Sequence, residues 1–207
     1  MEYACQNMAQ VLLDQLALRV PVKHMYPACS TLCAQCMHSP EANLRRTAVA
    51  AIGVIAEGCR VPIQADLGTI LPALLNLVHD TDQGVRECLG FALGQLSEHC
   101  QPEILSYHEA VLPAAGELLM DPRHTVQASA CYVLEQFIEN LHPSSVMQYS
   151  QQFAHRLLEI TQSPSLRTRG IALGALSSVA VCLEHDFTPY LAVRRCLLSD
   201  CTQQEMR

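Results

Sequence analysis

The 207-residue chain is half apolar, carries a formal charge of −7 and contains one lysine, Lys23. Its arginines pair at most as Arg45/Arg46 and Arg194/Arg195, so no phosphate-neutralising stripe exists and no direct nucleic-acid contact is expected. The longest strongly apolar run, 171–183, falls short of a bilayer span of about 18 residues, so membrane insertion is not expected either.

Taken in chain order, three- and four-residue apolar spacing predicts a lone helix over 3–18, with Met8, Val11, Leu12 and Leu16 on one face. Helix pairs follow at 24–38/41–58, 67–79/83–99, 106–120/124–141 and 147–162/165–183, and a last helix begins near 188. In the second pair Ile70, Leu71, Leu74, Leu75 and Val78 mark the apolar face of the first helix. Val85, Leu89, Ala92, Leu93, Leu96 and Cys100 mark that of the second. Asp80-Thr-Asp-Gln-Gly84 and Asp121-Pro-Arg-His-Thr125 supply the turns and caps. The expected organisation is one solenoid over 1–207. It comprises partial repeats at 1–20 and 187–207 and complete pairs at 22–60, 66–100, 105–141 and 144–183, and it reads as an interior piece of a longer superhelix.

A string comparison supports a repeat. Gly90-Phe-Ala-Leu-Gly-Gln-Leu-Ser97 returns as Gly170-Ile-Ala-Leu-Gly-Ala-Leu-Ser177, six of eight residues identical. Val49 to Ala56 and Ala130 to Ile138 fill the same slot in other units. A period of about forty residues without β-alternation means an all-α fold, a right-handed α-solenoid of antiparallel helix pairs. Pro72 and Pro113 recur inside first helices and suggest a shared bend. Gly53, Gly94 and Gly174 are expected at one repeat position, permitting close helix approach. Asp80 and Asp121 with Arg45 and Arg86 are expected to tie adjacent repeats together.

Proline in the first helix, aspartate at the turn and valine–arginine opening the second helix resemble the HEAT repeat. Phe91-Ala-Leu-Gly-Gln-Leu-Ser-Glu98 with Gln101-Pro102, and Ala130-Cys-Tyr-Val-Leu-Glu-Gln-Phe-Ile-Glu-Asn-Leu141, resemble the middle repeats of the importin-β superfamily, most similar to the importin-4 branch. This resemblance implies a nuclear import receptor shuttling between cytoplasm and nucleus. Such a receptor binds basic cargo proteins of histone or ribosomal type, passes the pore through nucleoporins and releases cargo to Ran-GTP. No Ran-GTP or nucleoporin residue carries over to this segment. The resemblance also implies that second helices line a concave surface. Glu57, Glu98 and Glu139 recur every forty-one positions opposite the apolar face of their helices, with Glu87 and Glu135 on the same side. They are the candidate cargo-binding residues.

Other motifs are weaker. Cys29-Ser-Thr-Leu-Cys33-Ala-Gln-Cys36, with His24 and His38 nearby, has the spacing of a radical SAM iron–sulfur motif, and a zinc site is also conceivable. The same spacing is i, i+4, i+7 on a helix face, where cysteine acts as a small hydrophobe, as do the other cysteines among the eleven. His108-Glu109 begins a zinc-protease motif, but Leu112 occupies the second histidine position. No cofactor, metal or enzymatic activity is expected. A HEAT scaffold of a phosphatase or assembly complex is the alternative among binding proteins, and a metal or iron–sulfur enzyme using Cys29, Cys33 and Cys36 is the alternative of another class.

Overall fold

The computed structural model describes residues 2–190, and among them every regular element is helical. A lone helix α1 (Glu2–Arg19) precedes α2 (Val22–Met37) and α3 (Ala42–Val54). Then come α4 (Arg60–Leu75), α5 (Gln83–His99), α6 (His108–Leu119) and α7 (His124–Ile138). Last are α8 (Pro143–Met147), α9 (Ser150–Ile160) and α10 (Leu166–Leu183), and short 3-10 turns lie at Glu103–Tyr107 and Glu184–Phe187. Of the helix expected from 188, residues 191–207 lie outside the described residues.

Two elements differ from the sequence reading for local reasons. α4 begins seven residues early because Pro62 falls in its first turn, where the N–H that proline lacks would have had no partner. The first helix of the last pair is split into α8 and α9. The hydroxyl of Ser150 donates to the Met147 carbonyl at 2.7 Å, and Tyr149 stacks on Phe153 with ring centroids 5.7 Å apart. Pro27, Pro72 and Pro113 all lie inside first helices, α2, α4 and α6.

One continuous apolar core runs the length of the stack. Leu67, Leu71 and Leu74 of α4 meet Leu89, Leu93 and Leu96 of α5 with essentially no exposure. Each buried side chain of this size contributes about 1.5–3 kcal/mol. Helices α3, α5, α7 and α10 stack directly on one another, whereas the first helices α2, α4, α6 and α9 stand apart. A layer whose members approach closely is the inner layer of a curved stack, and the splayed layer is the outer one. α1 meets the stack chiefly at its C-terminal end, where Gly58 abuts the backbone of Ala17, and its face of Met8, Val11, Leu12 and Leu16 is exposed.

The turns form the expected ladder. Arg45 donates from Nε and Nη2 to the two carboxylate oxygens of Asp80 at 2.7 and 2.8 Å. One repeat on, Arg86 Nε donates to Asp121 Oδ2 at 2.6 Å. Both carboxylates are 6% exposed. The hydrogen bond from Arg45 holds the Asp80 carboxyl below its ordinary pKa. Asp82 caps α5, accepting from the Val85 N–H at 3.1 Å.

The glycine register needs correction. Counted from the N-caps Glu41, Asp82, Arg123 and Ser165, the twelfth position is Gly53, Gly94, Glu135 and Ser177, and the ninth is Ala50, Phe91, Tyr132 and Gly174. A Cβ on Gly53 would lie 2.9 Å from Ala92 Cα and from Phe91 Cε1. One on Gly94 would collide with the Tyr132 ring. Each aromatic therefore fills the slot that a glycine leaves in the preceding helix. Gly174 is not a third slot: it holds the place of the aromatic, and a Cβ there would lie 2.6 Å from Glu135 Oε1. The repeated octapeptide aligns helix interiors three residues out of step with their caps.

Candidate protein-binding surface

The inner surface is built by the side of the second helices that points away from the core. Glu57, Glu98 and Glu139 each lie sixteen residues after the N-cap of their helix, and all three are exposed. At about 100° per residue this position is opposite Leu89, Leu93 and Leu96. Glu57 lies beyond the end of α3, in the turn before α4, Glu98 is in the last turn of α5, and Glu139 is the C-cap of α7. The carboxylates thus recur at the C-terminal ends of three stacked helices, where helices of this kind sit about 8–10 Å apart.

Glu98 is held in place. Tyr132 of the next helix donates its hydroxyl to Glu98 Oε2 at 2.8 Å, and Gln95 Nε2 donates to the same phenol oxygen at 2.6 Å. Burial first, and then the hydrogen bond to Glu98, push the Tyr132 pKa up, so the phenol stays a donor. This strut was not read from the sequence, although Phe91 and Tyr132, forty-one positions apart, were its visible signal. Glu87 and Glu135 are half-buried. Desolvation, and secondarily Glu139 one turn away, raise the Glu135 pKa.

On the outer layer, a groove of about 460 Å³ separates α2 from α4, with Ile52 of α3 and its C-cap Ile55 at the floor. Ser30, Thr31 and Ala34 of α2 are too short to close it. Tyr26 spans the gap, donating its hydroxyl to Asp66 Oδ2 at 2.6 Å. Cys33 also lines this groove, and Cys29, Cys33 and Cys36 all stay within regular α2. Burial, then the two neighbouring thiols, push Cys33 up to about 12. Among the described residues no three histidine, cysteine or carboxylate side chains are grouped to hold a metal ion. The segment Leu166–Tyr190 is long and apolar enough to cross a bilayer, with mean hydropathy 1.3. Here Ala172, Ala175, Val179 and Leu183 of α10 are buried in the stack.

Paired helices joined by aspartate turns and tied by an arginine–aspartate ladder define an α-solenoid of HEAT type, and the HEAT-like repeat family matches residues 42–96. The fold as a whole is similar to that of Kap121p, with a TM-score of 0.85, 25% identity and 95% of this chain covered. The karyopherin Kap121p bound to the SUMO protease Ulp1p matches with a TM-score of 0.87, 25% identity and 97% coverage. Kap121p bound to Nup53p matches with 0.85, 25% and 95%. This chain belongs to the importin-β superfamily of karyopherins. It spans about a fifth of the length of these Kap121p chains, 19% to 20%. No curated protein matches it by sequence alone.

Proposed function

We propose that this chain is a cargo-binding segment of a nuclear import receptor, and that Glu57, Glu98 and Glu139 receive a basic stretch of the cargo on the inner face. Glu87 and Glu135 widen the acidic stripe. Binding, not catalysis, is the activity. The observation that carries this reading is where the row sits. Carboxylates at helix C-termini oppose the helix dipole, at a cost of roughly 0.3–1 kcal/mol each, so helix stability does not account for three of them in register. A lysine ammonium placed there meets a carboxylate at the negative end of the helix dipole, and gains on-rate and register from the charge match.

The relatives support the receptor class. Kap121p has been solved bound to Pho4p, to Ulp1p and to the extreme C-terminus of the phosphatase Cdc14p, and also to Nup53p. One solved Kap121p variant has lysine in place of two aspartates and a glutamate, spaced at roughly one repeat. Nucleoporins and Ran-GTP are the further partners of the proposed receptor, which shuttles between cytoplasm and nucleus. The importin-4 branch is the finer placement, resting on the two strings at Phe91–Glu98 and Ala130–Leu141. To test the cargo site, Glu57→Lys, Glu98→Lys and Glu139→Lys are combined, and binding of a lysine-rich peptide is measured at two salt concentrations. Weaker binding and a shallower salt dependence are expected, with circular dichroism unchanged. Unaltered affinity would reduce the row to solvated surface.

A further inference from the structure

Among the described residues, the inward positions of α3, α5, α7 and α10 carry the glutamates of the acidic stripe and a single cation, Arg46. Counted from the N-caps, the fifth position is Arg46, Glu87, Ala128 and Gly170, and the sixteenth is Glu57, Glu98, Glu139 and Val181. Eleven residues return a helix to within about 20° of the same direction, so both positions face inward. The acidic row runs across one end of the second helices, and Arg46 lies toward the other end of the same surface, on α3 alone.

Arg46 reaches across to the next helix. Its stem lies over Gly84 in the first turn of α5, where a Cβ would come within 2.9 Å of Arg46 Cδ and 3.2 Å of Nη1. The absence of a side chain at Gly84 is what admits the stem. This placement opposes the fold's own electrostatics in two ways. It brings a cation to the positive end of the α5 dipole, and it buries Nε with no hydrogen-bond partner, so the lost hydration of that donor is not replaced. The adjacent Arg45, by contrast, donates from Nε to Asp80 at 2.7 Å. Among the described residues the arginine ion pairs are those of Arg45, Arg86 and Arg156, and Arg46 forms none. Asp82 and Glu87 are near enough to act with Arg46 on the Cys88 thiol. Asp82 Oδ1, however, is engaged by the Val85 N–H as the cap of α5. Neither helix stability nor a partner within the chain accounts for this cation.

We propose that Arg46 binds an acidic side chain of the cargo, one that flanks the basic stretch held by the glutamate row. The inference rests on the cargo reading above and adds to it a contact of opposite sign. The guanidinium presents paired N–H donors that match a carboxylate. Arg46 and Glu57 lie about 16 Å apart along α3 at 1.5 Å per residue, a span that an extended chain covers in about five residues. The recognised segment is therefore a run of lysines with an aspartate or glutamate about five residues beyond its α3 end. A contact of opposite sign at one end also fixes which way round the cargo lies. To test this, binding to the whole chain is measured for a lysine-run peptide flanked by glutamine, and for the same peptide with glutamate at that distance before the run or after it. Wild type is expected to bind one of the two glutamate peptides about threefold more tightly than the glutamine peptide, although its positive charge is lower. The one preferred gives the cargo direction. Arg46→Gln is expected to abolish the preference with circular dichroism unchanged, and Arg46→Lys, a point charge without the fork, to keep part of it. If neither glutamate peptide is preferred, or if the preference survives Arg46→Gln, the subsite is overturned while the acidic row stands. If the glutamine-flanked peptide itself fails to bind, the cargo reading falls and the subsite with it.

Discussion

Three glycines of the second helices differ in their expected response to one methyl group. At Gly53 the new Cβ would lie 2.9 Å from the backbone of Ala92, and at Gly94 it would strike the Tyr132 ring. Alanine at either position should lower stability by about 1–3 kcal/mol through overpacking, more than its helix propensity restores. At Gly170 nothing lies within 4 Å, so alanine there should stabilise by up to about 1 kcal/mol. Urea melts of the three variants check both signs. Ionisation separates two carboxyls in the same way. Desolvation raises the Glu135 pKa, so its penalty is absent while the group is protonated in both states and grows as pH rises through the raised value. Glu135→Gln should therefore be more stable than wild type at pH 7, with the difference vanishing near pH 4. The Asp80 pKa is lowered by Arg45, so the stability it supplies is present above the ordinary carboxyl range. That contribution should be lost as pH falls through the lowered value, which the acid limb of a pH–stability curve would show. The sequence placed Gly174 beside Gly53 and Gly94 because small apolar residues in helix interiors align equally well in several registers. The caps at Asp82 and Ser165 fix the register, and their geometry is not visible in a string match.

Helix pairing was legible because each second helix has a continuous apolar face, from Val85 to Cys100 in α5, and the turns repeat their aspartates. The break between α8 and α9 was not. It depends on the Ser150 hydroxyl and on Tyr149 packing over Phe153, contacts that leave the apolar periodicity of 147–162 intact. The early start of α4 was hidden by Pro62, which reads as a helix breaker unless it is known to lie in the first turn. Among the turn aspartates, a ladder member and a cap should differ in effect. Asp121→Ala removes the partner of Arg86, leaves its Nε without an acceptor and frees the Arg123 N–H of the same turn, with an expected loss of about 3–5 kcal/mol. Asp82→Ala removes only the cap of α5, costing about 1 kcal/mol. Thermal melts of the two variants should preserve that order, and equal losses would mean that the ladder contributes no more than a cap.

The superhelix as a whole was the most legible level, since period and polarity alone imply two layers of helices. The side chains that shape its inner face were legible in part. Glu57, Glu98 and Glu139 follow from counting, whereas the Tyr132 strut that fixes Glu98 and the half-burial of Glu135 come from neighbouring helices and needed three dimensions. The ladder also gives the molecule a direction. Both ladder arginines pair forward: Arg45 with the aspartate of the following turn, and Arg86 with the one after that. Shortening the stack from its far side strands a cation, which can swing on its long stem into water. Shortening it from the near side strands a carboxylate on a short stem, held in its own turn by the Asp82 N–H and unable to follow. A chain emerging from the ribosome always has the forgiving half of each pair in place before the demanding half appears. The repeats are thus supplied in the order in which vectorial synthesis can complete them one at a time.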